Sequence, residues 1–227
     1  MATVTTAQNA RLWDGSNPLS SCRFCNYLEN GINDERWTIV AETEHLVAVP
    51  SVGPLVPGWL LVMPKEHVLS FGALDADTLA VLMADVRRIA AAWQDVFGPL
   101  TWFEHGPAED RSSAGCGIDH AHLHLVPTGQ LDLLAAARDL LPDLAFHEVS
   151  GPEDAAVPVT RGNSYLYLRT TDGRSWLATS RDIPSQAFRR VIACQQGRPD
   201  QYDWKAFPHL DALETTLKLV RHLDLPA

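Results

Sequence analysis

The chain has 227 residues, 46% of them hydrophobic and 20% charged, the composition of a globular protein large enough to bury a core without disulfide staples. Eighteen lysines and arginines stand against 28 acidic residues, and the resulting charge of −10 disfavours nonspecific binding to duplex nucleic acid or to an anionic membrane. No apolar run approaches the roughly 18 residues that span a bilayer, and MATVTTAQNARLWDGSNPLSS lacks the apolar stretch of a signal peptide, so the expected setting is cytoplasmic.

Residues 1–20 are polar and without periodicity, which predicts an irregular N-terminal arm. Cys22 and Cys25 follow as a Cys-x-x-Cys pair, a metal site or a redox pair; no βαβ pattern of a thioredoxin surrounds it. RWTIVAET (36–43), HLVAVPS (45–51) and GWLLVMPK (58–65) read as strands, the last two separated by the breakers of VGPLVPG. From Asp75 to about Val96, Leu79, Leu82, Met83, Val86, Ile89, Ala90 and Trp93 recur at helical spacing. LTWFEHG and HAHLHLVP give two more strands, joined by the loop PAEDRSSAGCGID. Residues 21–128 are therefore expected to form an α+β unit, a five-stranded antiparallel sheet with a long helix on one face. The remainder, 129–227, reads as an α/β extension. It has a helix at 130–141, strands near AFHEVS, SYLYLRT and SWLATS, and helices near 184–196 and 209–223, with SGPEDAAVP as the best candidate boundary within it.

His120, His122 and His124 alternate along one strand, where neighbours on the same face stand about 6.6 Å apart. Ala121, Leu123 and Leu125 then face the core. Packing does not explain three such imidazoles, since each costs desolvation unless its nitrogens find partners. Histidine is both a zinc ligand and a nucleophile or general acid–base near neutral pH. A tetrahedral site begun by Cys22 and Cys25 needs two further ligands. His45, His67, His105 and one triad histidine are the candidates, and spacing alone does not separate them.

HAHLHLV, preceded by CRFC, by PGWLLVMPKEH and by the long helix, resembles the histidine triad (HIT) family of nucleotide-binding hydrolases and transferases over residues 22–127. The resemblance implies a HIT-like fold acting on a nucleotide or nucleoside phosphate derivative. His122 would attack the α-phosphorus to give a nucleotidyl-histidine, and His124 would bind phosphate oxygens. It also implies a structural zinc on Cys22, Cys25, His67 and His120. A hydrolase is favoured over a nucleotidyltransferase or phosphorylase. Two further readings are a zinc hydrolase using all three triad histidines as ligands, and a nucleotide-binding protein with an idle site.

The sequence departs from the family at several points. Ser51 stands where an Asp often holds the ribose, and Gly115, Cys116 and Gly117 replace a Gly-Gln-Ser or Gly-Gln-Thr that touches phosphate. Cys116, Gly117 and Glu104 are candidate substrate contacts; FEHG stands where an Asn or Gln often lies, which puts Glu104 and His105 near the site or simply at the end of a strand. In the extension, Arg189, Arg190 and Arg198 with Tyr202 and Trp204 suit the gripping of phosphate and the stacking of a base. That segment is expected to shape the substrate pocket or a homodimer interface.

Overall fold

The computed structural model describes residues 22–30, 38–115, 117–221 and 223. The expected arm at 1–20 and Cys116 lie outside those residues. Eight strands form one antiparallel sheet: β1 (Ala41–Glu42), β2 (Leu46–Pro50), β3 (Leu60–Pro64), β4 (Thr101–Gly106), β5 (Leu123–Val126), β6 (His147–Val149), β7 (Ser164–Arg169) and β8 (Ser175–Ser180). Their order is β1-β2-β3-β5-β4-β7-β8-β6. The first five strands make the expected sheet, but the sheet does not stop there. β7 pairs with β4 along five residues, Trp102 to Gly106, so the extension continues the same sheet.

Helix α1 (Arg23–Asn30) follows Cys22, and the long helix α2 (Ala76–Phe97) occupies the span its apolar spacing predicts. Asp75 caps α2 by accepting from the N–H groups of Asp77 and Thr78, and Gly98, at φ 80°, ends it. Its buried stripe packs on one face of the sheet with Leu60, Val62, Leu123, Leu125, Tyr165 and Tyr167. The other face carries Leu61, Phe103, Leu166 and Leu168, covered by α1, α3 (Leu133–Leu140) and α5 (Ala187–Gln195). α6 (Leu210–Val220) closes the chain, and Thr216 Oγ1 accepts from the Gly58 N–H at 2.7 Å.

Two local readings change. The triad strand is shorter than HAHLHLVP suggests: His120 and His122 precede β5, because the Ala121 N–H is drawn to Val68 O at 2.7 Å instead of into the ladder. The alternation survives, since Ala121, Leu123 and Leu125 all join the α2 face. SGPEDAAVP is not a seam. It forms a helical turn, Pro152–Ala155, leading into α4 (Ala156–Thr160), and Ala155 is buried against Gly72, where a Cβ would lie 2.9 Å from Ala155 O.

Candidate active site and metal centre

Cys22, Cys25, His67 and His120 converge, with their ligand atoms all within 4.8 Å of one another. Cys22 Sγ lies 3.4 Å and Cys25 Sγ 3.5 Å from His120 Nδ1, and Cys25 Sγ lies 3.2 Å from His67 Nδ1. Tetrahedral zinc bonded to sulfur at about 2.3 Å and nitrogen at about 2.0 Å separates S from N by roughly 3.5 Å, so these spacings fit the ion. The tautomer fits too. His120 Nε2 lies 2.8 Å from Pro64 O, and a carbonyl only accepts, so Nε2 carries the proton and the Nδ1 lone pair faces the sulfurs. The hydrogen bond from the Cys25 thiol lowers Cys22 to about 3, while the hydrogen bond to Cys22 and burial raise Cys25. His45 stays apart, half-exposed beside Glu44.

His122 and His124 take other partners. His122 Nδ1 lies 2.7 Å from His120 O, which fixes the proton on Nδ1 and leaves the Nε2 lone pair available. Burial, with His120 close by, lowers His122 to about 4, so the ring is neutral near pH 7. His124 has the opposite arrangement. The Trp59 Nε1–H donates to His124 Nδ1 at 2.9 Å, so the neutral ring carries its proton on Nε2, and Nε2 has no partner. Burial first, then His122, keeps His124 well below its ordinary pKa. The two rings stand 4.9 Å apart, one offering a lone pair and the other an unsatisfied N–H.

The family model for the HIT domain matches residues 34–131. An uncharacterised HIT-like protein of Saccharolobus solfataricus is 31% identical over 114 residues, 49% of this chain and 76% of that protein. The chain belongs to the histidine triad (HIT) family. The adenosine 5'-monophosphoramidase hnt1 of Schizosaccharomyces pombe is 27% identical over 107 residues, 47% of this chain and 74% of its own. Among solved structures, a hypothetical histidine triad nucleotide-binding protein of Sulfolobus tokodaii is 30% identical over 49% of this chain and 71% of its own, with a TM-score of 0.41.

The HIT match ends at residue 131, yet the extension reaches the triad. A cavity of about 30 Å³ is lined by Phe24, Ser51, Leu61, Ile118, His122, His124, Arg189 and Trp204. Ser51 and Arg189 are thus brought to the two histidines. Arg189 is 2% exposed, donates to Tyr202 O and Gly53 O, and lies over the Trp59 ring at 4.8 Å. Trp204 is wedged against Gly53, whose φ is 67° and where a Cβ would meet Trp204 Cβ at 2.9 Å. The enclosed part of the cavity is small, enough for a group of about the size of water beside the two histidines. Gly117 lies outside it, at φ 76°, in a neighbouring groove with Arg23 and Arg111. Arg190 and Arg198 are held by the protein itself: Arg190 over the Tyr202 ring at 3.8 Å, Arg198 on Leu55 O and Gln196.

Glu104 is not brought to the triad. Phe103 stacks on His124 with ring centroids 4.5 Å apart, so alternation turns Glu104 to the α2 face. There it accepts from the Tyr165 hydroxyl and, at 2.8 Å, from the Phe71 N–H. Burial raises its pKa to about 7. A carboxyl raised on folding contributes stability that is present below its unfolded pKa and is lost as pH rises through the folded value. Glu104 should therefore cost the protein about 3 kcal/mol between pH 4.5 and 8. In Glu104→Gln, denaturant unfolding across that range should lack this decline, so the variant gains on the wild type as pH rises.

Trp59 was not singled out by the sequence. Its only signal is the register of β3, which pairs Leu61 with His124 and so places the start of that strand near the triad. Trp59→Phe should free the His124 tautomer, and a roughly tenfold fall in kcat is expected with the fold retained. Steady-state kinetics beside a melting curve checks this; an unchanged kcat would remove Trp59 from the site.

Proposed function

We propose that this HIT protein cleaves a nucleoside phosphate derivative at its α-phosphate, through a nucleotidyl-histidine on His122. The observation that carries the reading is the pair of fixed tautomers. His122 presents an unprotonated Nε2 for attack, and His124 presents an Nε2–H for the phosphoryl oxygens. In the first step the His122 Nε2–P bond forms as the bond to the leaving group breaks; the ring becomes a phosphorylated imidazolium, and the leaving group departs with the bonding pair and takes a proton from solvent. In the second, water attacks phosphorus and gives up a proton to solvent, and the nucleoside monophosphate departs from His122, which is neutral again. The positive charge that forms on His122 is met by the His120 carbonyl on its Nδ1–H, and the phosphoryl oxygens by positioned donors.

Cys22, Cys25, His67 and His120 would hold zinc with four protein ligands, leaving no open position for water, so the ion would supply structure. Ser51 and Arg189 line the same cavity and are proposed substrate contacts, and Gly117 lines a separate groove that shares Ile118 with it. Hydrolysis is favoured over transfer by the relative that is an adenosine 5'-monophosphoramidase. Three-histidine zinc catalysis is less well supported, because His120 turns its lone pair to the cysteines.

The test is a substrate panel: nucleoside phosphoramidates, dinucleoside polyphosphates, acyl-adenylates and nucleotide sugars, each assayed for release of nucleoside monophosphate. Release from at least one class is expected. Tight binding without release from any would leave a nucleotide-binding protein with an idle site. Turnover lost reversibly on chelation, with the melting curve unchanged, would point to a catalytic zinc.

A further inference from the structure

Among the described residues, three buried side-chain polar atoms lack a hydrogen-bond partner: Ser70 Oγ, His124 Nε2 and His105 Nδ1. The two ring nitrogens belong to neighbouring imidazoles, packed edge to face with centroids 5.7 Å apart. His105 lies on β4 and is 2% exposed. Its Nε2 lies 3.1 Å from the N–H of Phe188, in the first turn of α5. A backbone N–H only donates, so Nε2 is the acceptor and the neutral ring carries its proton on Nδ1. His124 is constrained in the same way by Trp59.

Neither histidine can satisfy the other. Each already uses one nitrogen as an acceptor, so each remaining nitrogen is a donor, and each needs an acceptor from outside the pair. A buried N–H left alone is expensive, and two together mark a place built for an electron-rich guest. The surroundings favour an anion. Arg189 is buried and lines the cavity with His124, whereas Glu104, the adjacent carboxyl, faces the opposite side of the sheet. The pairing of β4 with β5 matches Phe103 to His124, and strand alternation puts His105, two residues on, on the same face of β4 as Phe103.

We propose that His105 is a fourth functional histidine, whose Nδ1–H joins His124 Nε2–H in holding the non-bridging oxygens of the phosphoryl group under attack. This rests on the reading of His122 as nucleophile. It also gives the extension a role in the chemistry, because the first turn of α5 sets the His105 tautomer.

The test uses orthovanadate as the probe, with the full chain and two variants. His105→Phe keeps a ring but removes the donor; His105→Gln restores an acceptor for the Phe188 N–H and an amide donor. His105→Phe should lower kcat about 10²-fold and weaken orthovanadate binding by a similar factor, and His105→Gln should recover at least about tenfold of each. In the wild type, the ¹⁵N resonance of His105 Nδ1 should shift when orthovanadate is added. This last readout decides the matter if His105→Phe does not fold. Turnover and orthovanadate affinity of His105→Phe within twofold of the wild type would overturn the proposal. So would an unmoved His105 resonance, the result of a resident water only. A nucleotide adduct forming on His122 at the wild-type rate in His105→Phe would sink the role of His105 alone, whereas no adduct in the wild type would sink the His122 reading beneath it.

Discussion

His122→Ala is expected to lower kcat by about 10⁴-fold or more while leaving the melting temperature within a few degrees of the wild type. In the proposed reaction the side chain supplies the bond-forming nitrogen, and no other described side chain lining the cavity offers a free imidazole lone pair. His124 has its Nδ1 bound to Trp59 and its Nε2 protonated, so it cannot serve as a substitute nucleophile without losing that bond. The structural cost is small by comparison, because among the described residues the hydrogen bond lost is the one to His120 O, worth about 1 kcal/mol. Steady-state turnover and a thermal melt on the same preparation separate the two effects. Equal falls in activity and stability would make His122 a packing residue.

If Cys22, Cys25, His67 and His120 hold zinc as proposed, its removal has the second large effect, and it acts through the fold. Chelation, or Cys22→Ser, is expected to lower the melting temperature by on the order of 10 °C, since structural zinc contributes several kcal/mol and each shifts the melt of a chain this size by about 2–4 °C. The loss should reach the triad by two routes. Phe24 of α1 packs edge-on to His120 and His122, with centroids 5.6 and 5.5 Å apart. His120 also supplies the carbonyl that fixes the His122 tautomer. Turnover should therefore fall with the melting temperature and return when zinc is restored, measured by calorimetry and activity at each step of a zinc titration.

Much of this was legible in the sequence because period and spacing carry it. The stripe from Leu79 to Trp93 predicts α2, and the alternation of Ala121, Leu123 and Leu125 against three histidines predicts their separation into core and site. Spacing leaves the metal group as a set of candidates, and only the family resemblance narrows it to Cys22, Cys25, His67 and His120, the four the fold brings together. Exclusion of His45 needed β2 and β3, which leave it half-exposed while carrying His67 to the cysteines. Glu104 and His105 show the limit more sharply. Adjacent residues on a strand face opposite sides, and FEHG alone does not say which of them faces the triad; Phe103 stacked on His124 decides it. The reach of the extension was not legible either, because β7 joining β4 and Trp204 closing on Gly53 are contacts between distant parts of the chain.

The most direct measurement of the central claim locates the intermediate itself. Enzyme mixed with a turned-over nucleotide, quenched in alkali within milliseconds and mapped by peptide mass, should carry one nucleoside monophosphate, on the peptide containing the triad and on His122. An adduct on His124, or no adduct while product accumulates at the full rate, would contradict the account.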